Sequence, residues 1–182
     1  MSYMTRGQLK QYGAQEDLVR RVLTKKLEKV ASVVTKAAFT SPTLFLSHSH
    51  QDQDLVSDAL TFFADQNAEV YVDRLDDGMP ATTSVETAQR LRHMIDASKK
   101  FVLLATPRSL QSRWVPWELG CADGLKGIKN VAVLAVEDHE GTFPNNEYVA
   151  LYPTIHKRRD GKWGVLMPGE DGTTLLSAWL VE

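Results

Sequence analysis

From residue 43 onward, short runs that are apolar throughout alternate with longer stretches in which apolar residues recur every three or four positions. Residues 43–47, 69–72, 101–105 and 131–136 have the length and continuity of buried strands. Residues 52–66 place Leu55, Val56, Ala59, Leu60, Phe62 and Phe63 on one helical face, and residues 84–97 do the same with Val85, Ala88, Leu91 and Ile95. Thr83 and Glu86 have the spacing of a capping box for the second of these helices. Strands without a polar face, separated by helices, imply parallel pairing with both sides of the sheet covered. The expected fold class is therefore α/β, a doubly wound parallel sheet. Ligands of such sheets sit beyond the carboxyl ends of the strands, which directs attention to the segments after Leu46, Val72 and Ala105.

The two ends of the chain read differently. Residues 16–39 carry Leu18, Val19, Val22, Leu23, Leu27, Val30 and Val34 at helical spacing, with Arg20, Arg21, Lys25, Lys26 and Lys29 on other faces. They predict an extra N-terminal amphipathic helix whose basic side is a solvated face. Thr40, Ser41 and Pro42 interrupt it, because the residue before a proline is pushed out of helical geometry. The chain accordingly divides into an N-terminal helical extension, 1–41, and a domain, 42–182. After Val136 the pattern turns loop-rich, then gives an edge strand at 163–167 and a last short helix at 173–181.

Composition narrows the function classes. With 21 basic and 23 acidic residues, the formal charge of -2 supplies no bulk attraction to nucleic acid or to an anionic membrane surface. Cys121 is the single cysteine, so no internal disulfide forms and a reducing, cytoplasmic setting fits. No run approaches the ~20 apolar residues of a membrane span, and the first residues lack the apolar core of a secretory signal. The expectation is a protein with neither nucleic acid nor membrane as partner.

Three motifs stand in order: TLFLSHS followed by QDQD at the start of a helix, EVYVDRLDDGMP, and SRWVPWELG. Together they resemble the Toll/interleukin receptor (TIR) domain family over roughly residues 43–180. Phe45, Leu46, Ser47, His48, Ser49 and Asp52 are similar to the family's first box, and Tyr71, Val72 and Asp73 with the loop to Pro80 to its second strand and loop. In NAD+-cleaving members a tryptophan precedes the catalytic glutamate by four positions, the relation of Trp114 to Glu118. The resemblance implies a flavodoxin-like fold, NAD+ as substrate rather than cofactor, Glu118 as the catalytic residue, and assembly into homo-oligomers on activation. In that assembly the loop 73–80 of one subunit completes the site of the next, and Gly78 and Pro80 suit a mobile loop. A domain of this kind standing almost alone resembles the prokaryotic enzymes of antiphage defence, including Thoeris-type systems, where the product acts on a separate effector protein. Whether the product is linear or cyclic ADP-ribose stays open at this point.

The residues suit that chemistry on their own terms. Breaking the bond between ribose C1′ and nicotinamide builds an oxocarbenium-like cation, which a nearby carboxylate stabilises. Nicotinamide leaves as a neutral base, so one carboxylate suffices. Pro116 is expected at the first helical position, placing Glu118 in the first turn, where the helix dipole favours an ionised side chain at neutral pH. Taken in isolation Glu118 reads as a first-turn cap of its own helix; the tryptophan spacing and the preceding boxes turn the reading to catalysis. Trp114 and Trp117 offer flat walls for nicotinamide, or they pack in the core. Ser47, His48 and Ser49 open a loop that meets the pyrophosphate or a ribose hydroxyl, while Ser49 with Asp52 also reads as a helix cap. Asp73 suits ribose hydroxyls and Arg74 suits phosphate, against a reading of both as surface pairing.

Two rivals come from other classes. A TIR module that only assembles with like domains performs no catalysis and has no need of the Glu118 carboxylate. His48, His50 and Asp52 spell a pattern similar to the zinc motif of metallo-β-lactamase-like hydrolases. Against the zinc reading, Gln53 replaces the histidine expected after Asp52, only His93, His139 and His156 remain to complete a site, and no metal is expected. Cys121 lies in an apolar stretch without an activating base and reads as packing.

Overall fold

The structure is a computed structural model that describes residues 3–14, 43–73, 84–137 and 147–182. The predicted helix at 16–39, the loop from Arg74 to Pro80, Thr83 and His139 lie outside the described residues. Among the described residues eight strands form one sheet: β1 (Met4–Thr5), β2 (Leu44–Ser47), β3 (Val70–Tyr71), β4 (Lys100–Ala105), β5 (Val131–Glu137), β6 (Thr154–Lys157), β7 (Trp163–Leu166) and β8 (Thr173–Leu175). The order is β3-β2-β4-β5-β6-β7-β8, with β1 pairing a further stretch of β5. Pairing is parallel from β3 to β6 and antiparallel from β6 to β8.

Side-chain alternation along the strands divides the interior into two cores. Leu44, Leu46, Val102, Leu104, Leu134, Ile155 and Val165 face one side, where α1 (Arg6–Ala14), α2 (Gln53–Asp65) and α5 (Leu176–Trp179) cover them. Phe45, Tyr71, Phe101, Leu103, Val131 and Val133 face the other, beneath α3 (Val85–Ala97) and α4 (Val115–Lys126). Helices on both faces make the sheet doubly wound, as the alternating pattern requires. Phe45 carries the second core across three strands, lying 5.3 Å from the Tyr71 ring and stacked 5.5 Å from Phe101.

Several expectations are corrected. The cap of α3 falls one residue later than Thr83 and Glu86: Ser84 accepts from the Thr87 N–H, and the Thr87 hydroxyl accepts from the Ser84 N–H. Strand β7 is internal, not an edge, because β8 occupies the first part of the segment read as a final helix. The helix α4 starts at Val115, so Pro116 takes its second position. Residues 4–14, which the hydropathy pattern left without an element, enter the sheet through Met4 opposite Val136 and pack α1 on α2. Tyr12 meets Phe62 edge-on at 5.2 Å and accepts a 2.9 Å hydrogen bond from the Trp163 indole, fixing α1 to the body.

Candidate active site

Strand order reverses at β2, which has β3 on one side and β4 on the other, so the carboxyl ends of β2 and β4 border the crevice where ligands of doubly wound sheets bind. Ser47 ends β2, Asp73 follows β3, and Glu118 projects from the first turn of α4. The Ser47 hydroxyl donates to Glu118 Oε2 at 2.5 Å, although the two residues stand 71 positions apart. Glu118 is only 5% exposed. The Glu118 N–H donates to the Trp114 carbonyl at 2.9 Å, which closes the first turn and sets Trp114 one turn before the carboxyl.

Burial governs the charge of Glu118. Loss of water around the carboxyl, with a smaller push from the Asp73 carboxylate, raises its pKa to about 8 against the pull of the Ser47 hydrogen bond. The helix dipole had suggested an ionised group at neutral pH; desolvation outweighs it, and the resting side chain is largely protonated there.

The surrounding residues divide by what they touch. His48 is buried, its Nδ1 3.7 Å from Asp73 Oδ1, and its ring meets His50 edge-on at 6.1 Å. Ser49 Oγ accepts from the Gln51 N–H at 3.2 Å and the Ser49 carbonyl from the Asp52 N–H at 2.9 Å, as a helix cap does. Trp114 and Trp117 are half-buried against the second core, edge to face at 5.2 Å, and the Arg92 guanidinium lies 5.8 Å over the Trp117 ring. Each indole thus packs and remains partly open. Arg74 lies outside the described residues. Cys121 is a free, half-buried thiol against the same core.

Asp52, read from the sequence as part of a helix cap or of a zinc-like pattern, is a structural anchor of this crevice. It is fully buried, accepts from the Thr106 hydroxyl at 2.5 Å, and lies 3.8 Å from Arg108 and 4.0 Å from Arg6. Burial raises its pKa, opposed by Thr106 and both guanidinium groups. Arg108 also donates to the Gln51 carbonyl at 2.7 Å, so the loops after β2 and β4 are held together across the crevice. The motif pointed to Asp52, but no local signal could pair it with Arg6. Among the described residues no group of three or more His, Cys, Asp or Glu side chains is arranged to hold a metal ion, and the contacts of Asp52 turn it toward hydroxyl and guanidinium partners.

Residues 44–160 match the TIR domain family. The chain is 33% identical over 118 residues to a protein of Bacillus cereus (strain MSX-D12) described as a probable 3′ cyclic ADP-D-ribose synthase, ThsB′; the alignment takes in 63% of this chain and 60% of that protein. The chain thus spans about three-fifths of the length of that curated relative.

Proposed function

The chain belongs to the TIR domain family, and from that premise we propose that it is an enzyme that cleaves NAD+ at the nicotinamide–ribose bond, with Glu118 as the catalytic carboxylate. The observation that carries this reading is a buried carboxyl, one helical turn after Trp114, joined to Ser47 at the crevice of the sheet. The kinship with a probable 3′ cyclic ADP-D-ribose synthase supports the same substrate.

NAD+ brings a positive pyridinium ring to the site. Its charge favours the ionised acid, so the Glu118 proton is released to solvent as NAD+ binds. As the C1′–N bond breaks, its electron pair goes to the pyridine nitrogen and neutral nicotinamide leaves. The Glu118 carboxylate stabilises the cation left at C1′. A hydroxyl oxygen then bonds to C1′ and gives its proton to Glu118, an acceptor well matched by a pKa of about 8. The relative's activity supports a ribose hydroxyl of the same molecule as that nucleophile, giving a cyclic ADP-ribose, whereas water in its place gives linear ADP-ribose. Ser47 orients the carboxyl, Trp114 and Trp117 wall the nicotinamide, and His48, Ser49, Asp73 and Arg74 take the ribose and phosphates.

The setting is proposed to be antiphage defence in the bacterial cytoplasm, with activation by assembly of like subunits and a separate effector responding to the product. Among the described residues no helix is long and apolar enough to cross a membrane, which is compatible with that setting.

Incubating the purified chain with NAD+ at high protein concentration, with chromatography and mass detection of products, tests the reaction. The parent should release nicotinamide together with one ADP-ribose species, and Glu118→Gln should lose activity by roughly a hundredfold or more with its fold intact. Equal nicotinamide release by parent and variant would overturn the assignment.

A further inference from the structure

The loop after β2 is tied at both ends. At its start Ser47, the last residue of β2, stands opposite Leu103 of β4 and holds Glu118 through its hydroxyl. At its end Asp52 is held from three sides: the Thr106 hydroxyl donates to Oδ2, and the guanidinium groups of Arg108 and Arg6 lie 3.8 and 4.0 Å from Oδ1. Between the two ties the chain has little freedom, because Ser49 accepts from the N–H groups of Gln51 and Asp52 and closes a tight turn. Strand ends fray first, so the clasp just beyond the Ser47–Leu103 pair decides whether Ser47 stays in place.

Thr106 and Arg108 belong to the loop after β4, whereas Arg6 comes from the far end of the chain. Its backbone is set by a reciprocal cap: the Thr5 N–H donates to Gln8 Oε1 at 3.0 Å, and the Gln8 N–H to the Thr5 hydroxyl at 3.1 Å. The strand before it is registered on β5, with Met4 opposite Val136 and Thr5 opposite Glu137, and buried Leu9 anchors the helix after it. The guanidinium therefore reaches the start of α2 from a fixed base, where it bridges Asp52 and, at 3.8 Å, Asp54. Among the described residues Asp52 Oδ1 is buried and accepts no hydrogen bond, so on that side its charge is offset by the two guanidinium groups. Removing one of them leaves a buried charge undercompensated, and the carboxyl must move toward water or take up a proton.

We propose that Arg6 is a positioning residue of the Glu118 site: through Asp52 it staples the ends of β2 and β4 together and so keeps the Ser47 hydroxyl on the Glu118 carboxyl. Calling that site catalytic rests on the reading above; the linkage from Arg6 to Ser47 does not. The groups facing Glu118 are Ser47 and Asp73, with His48 3.7 Å from Asp73, and those facing Asp52 are Thr106, Arg108, Arg6 and Asp54. Arg6 is not among the charges that act on Glu118 directly, so its influence there passes through the loop.

The titration of Glu118 reads this out without turnover. In the full chain with isotope-labelled glutamate carboxyls, the Glu118 signal is the one missing from Glu118→Gln. Arg6→Gln should raise its midpoint by roughly half a pH unit or more, as loss of a hydrogen bond to the ionised form does, and Arg6→Lys, which keeps the charge, should stay near the parent. Combined with Ser47→Ala, Arg6→Gln should add nothing further, since both remove the same bond. Arg108→Gln loosens Asp52 with α1 intact and should move the midpoint the same way; it decides the matter if Arg6→Gln does not fold. A midpoint that is unmoved or falls, or two shifts that sum in the double variant, would overturn the proposal. A raised, non-additive midpoint in a chain that leaves NAD+ intact would uphold Arg6 as a positioning residue and refute the proposed reaction.

Discussion

At Glu118 two effects of opposite sign meet. The first turn of α4 favours an anion by at most about 2 kcal/mol, while loss of water shifts a fully buried carboxyl by several pKa units. Burial therefore prevails, and the side chain titrates near 8. Because the folded value lies above the ordinary glutamate value of 4.5, the folded chain holds the proton that the unfolded chain has lost between those two pH values. Stability attributable to this group should thus fall as pH rises toward 8, by at most roughly 1.4 kcal/mol per pH unit. Denaturation midpoints of parent and Glu118→Gln from pH 5 to pH 9 check this, with the variant gaining on the parent toward the alkaline end. The proposed reaction needs the ionised form, so kcat/KM should rise with pH to an inflection near 8, with kcat inflecting lower once the pyridinium is bound. Ser47→Ala removes the hydrogen bond that lowers this pKa and should move the kcat/KM inflection upward. An unmoved inflection would exclude Ser47 as the residue that sets the carboxyl. The Trp114–Glu118 spacing is legible along the chain; the Ser47 bond, reaching between β2 and α4, is not.

Elements vary in how plainly local sequence announces them. Strands β2, β4 and β5 and helices α2 and α3 stand out because both faces of the central sheet are buried, which demands unbroken apolar runs and full amphipathic stripes. Strands β6 and β8 are short and half polar, with Thr154, His156 and Lys157 in one and Thr173 and Thr174 in the other, so their apolar periodicity is faint. The segment β1–α1 escapes because its nine-residue helix has few apolar positions, yet Leu9 is wholly buried against the first core. Leu9→Ala should therefore destabilise the protein by about 2–5 kcal/mol, as for a core leucine, measured by denaturant unfolding. A loss under about 0.5 kcal/mol would mean that residues 4–14 sit loosely on the domain. Arg6, at the start of the same helix, reaches Asp52, so this segment also braces the loop that borders the crevice.

At the scale of the whole molecule, the proposed assembly predicts that specific activity rises with enzyme concentration. A series of dilutions assayed for nicotinamide release checks it, and a constant specific activity would indicate a site complete within one chain. By itself, the sequence determined the doubly wound class and the helices α2 and α3 on its two faces, and it offered Glu118 as the candidate carboxyl, because periodicity and short motifs are local properties. Tertiary structure alone decided the protonation of Glu118 and the clasp of Asp52 by Thr106, Arg6 and Arg108. Each depends on groups far apart in the chain excluding water from one another, and that exclusion exists only once the strands have taken their places in the sheet.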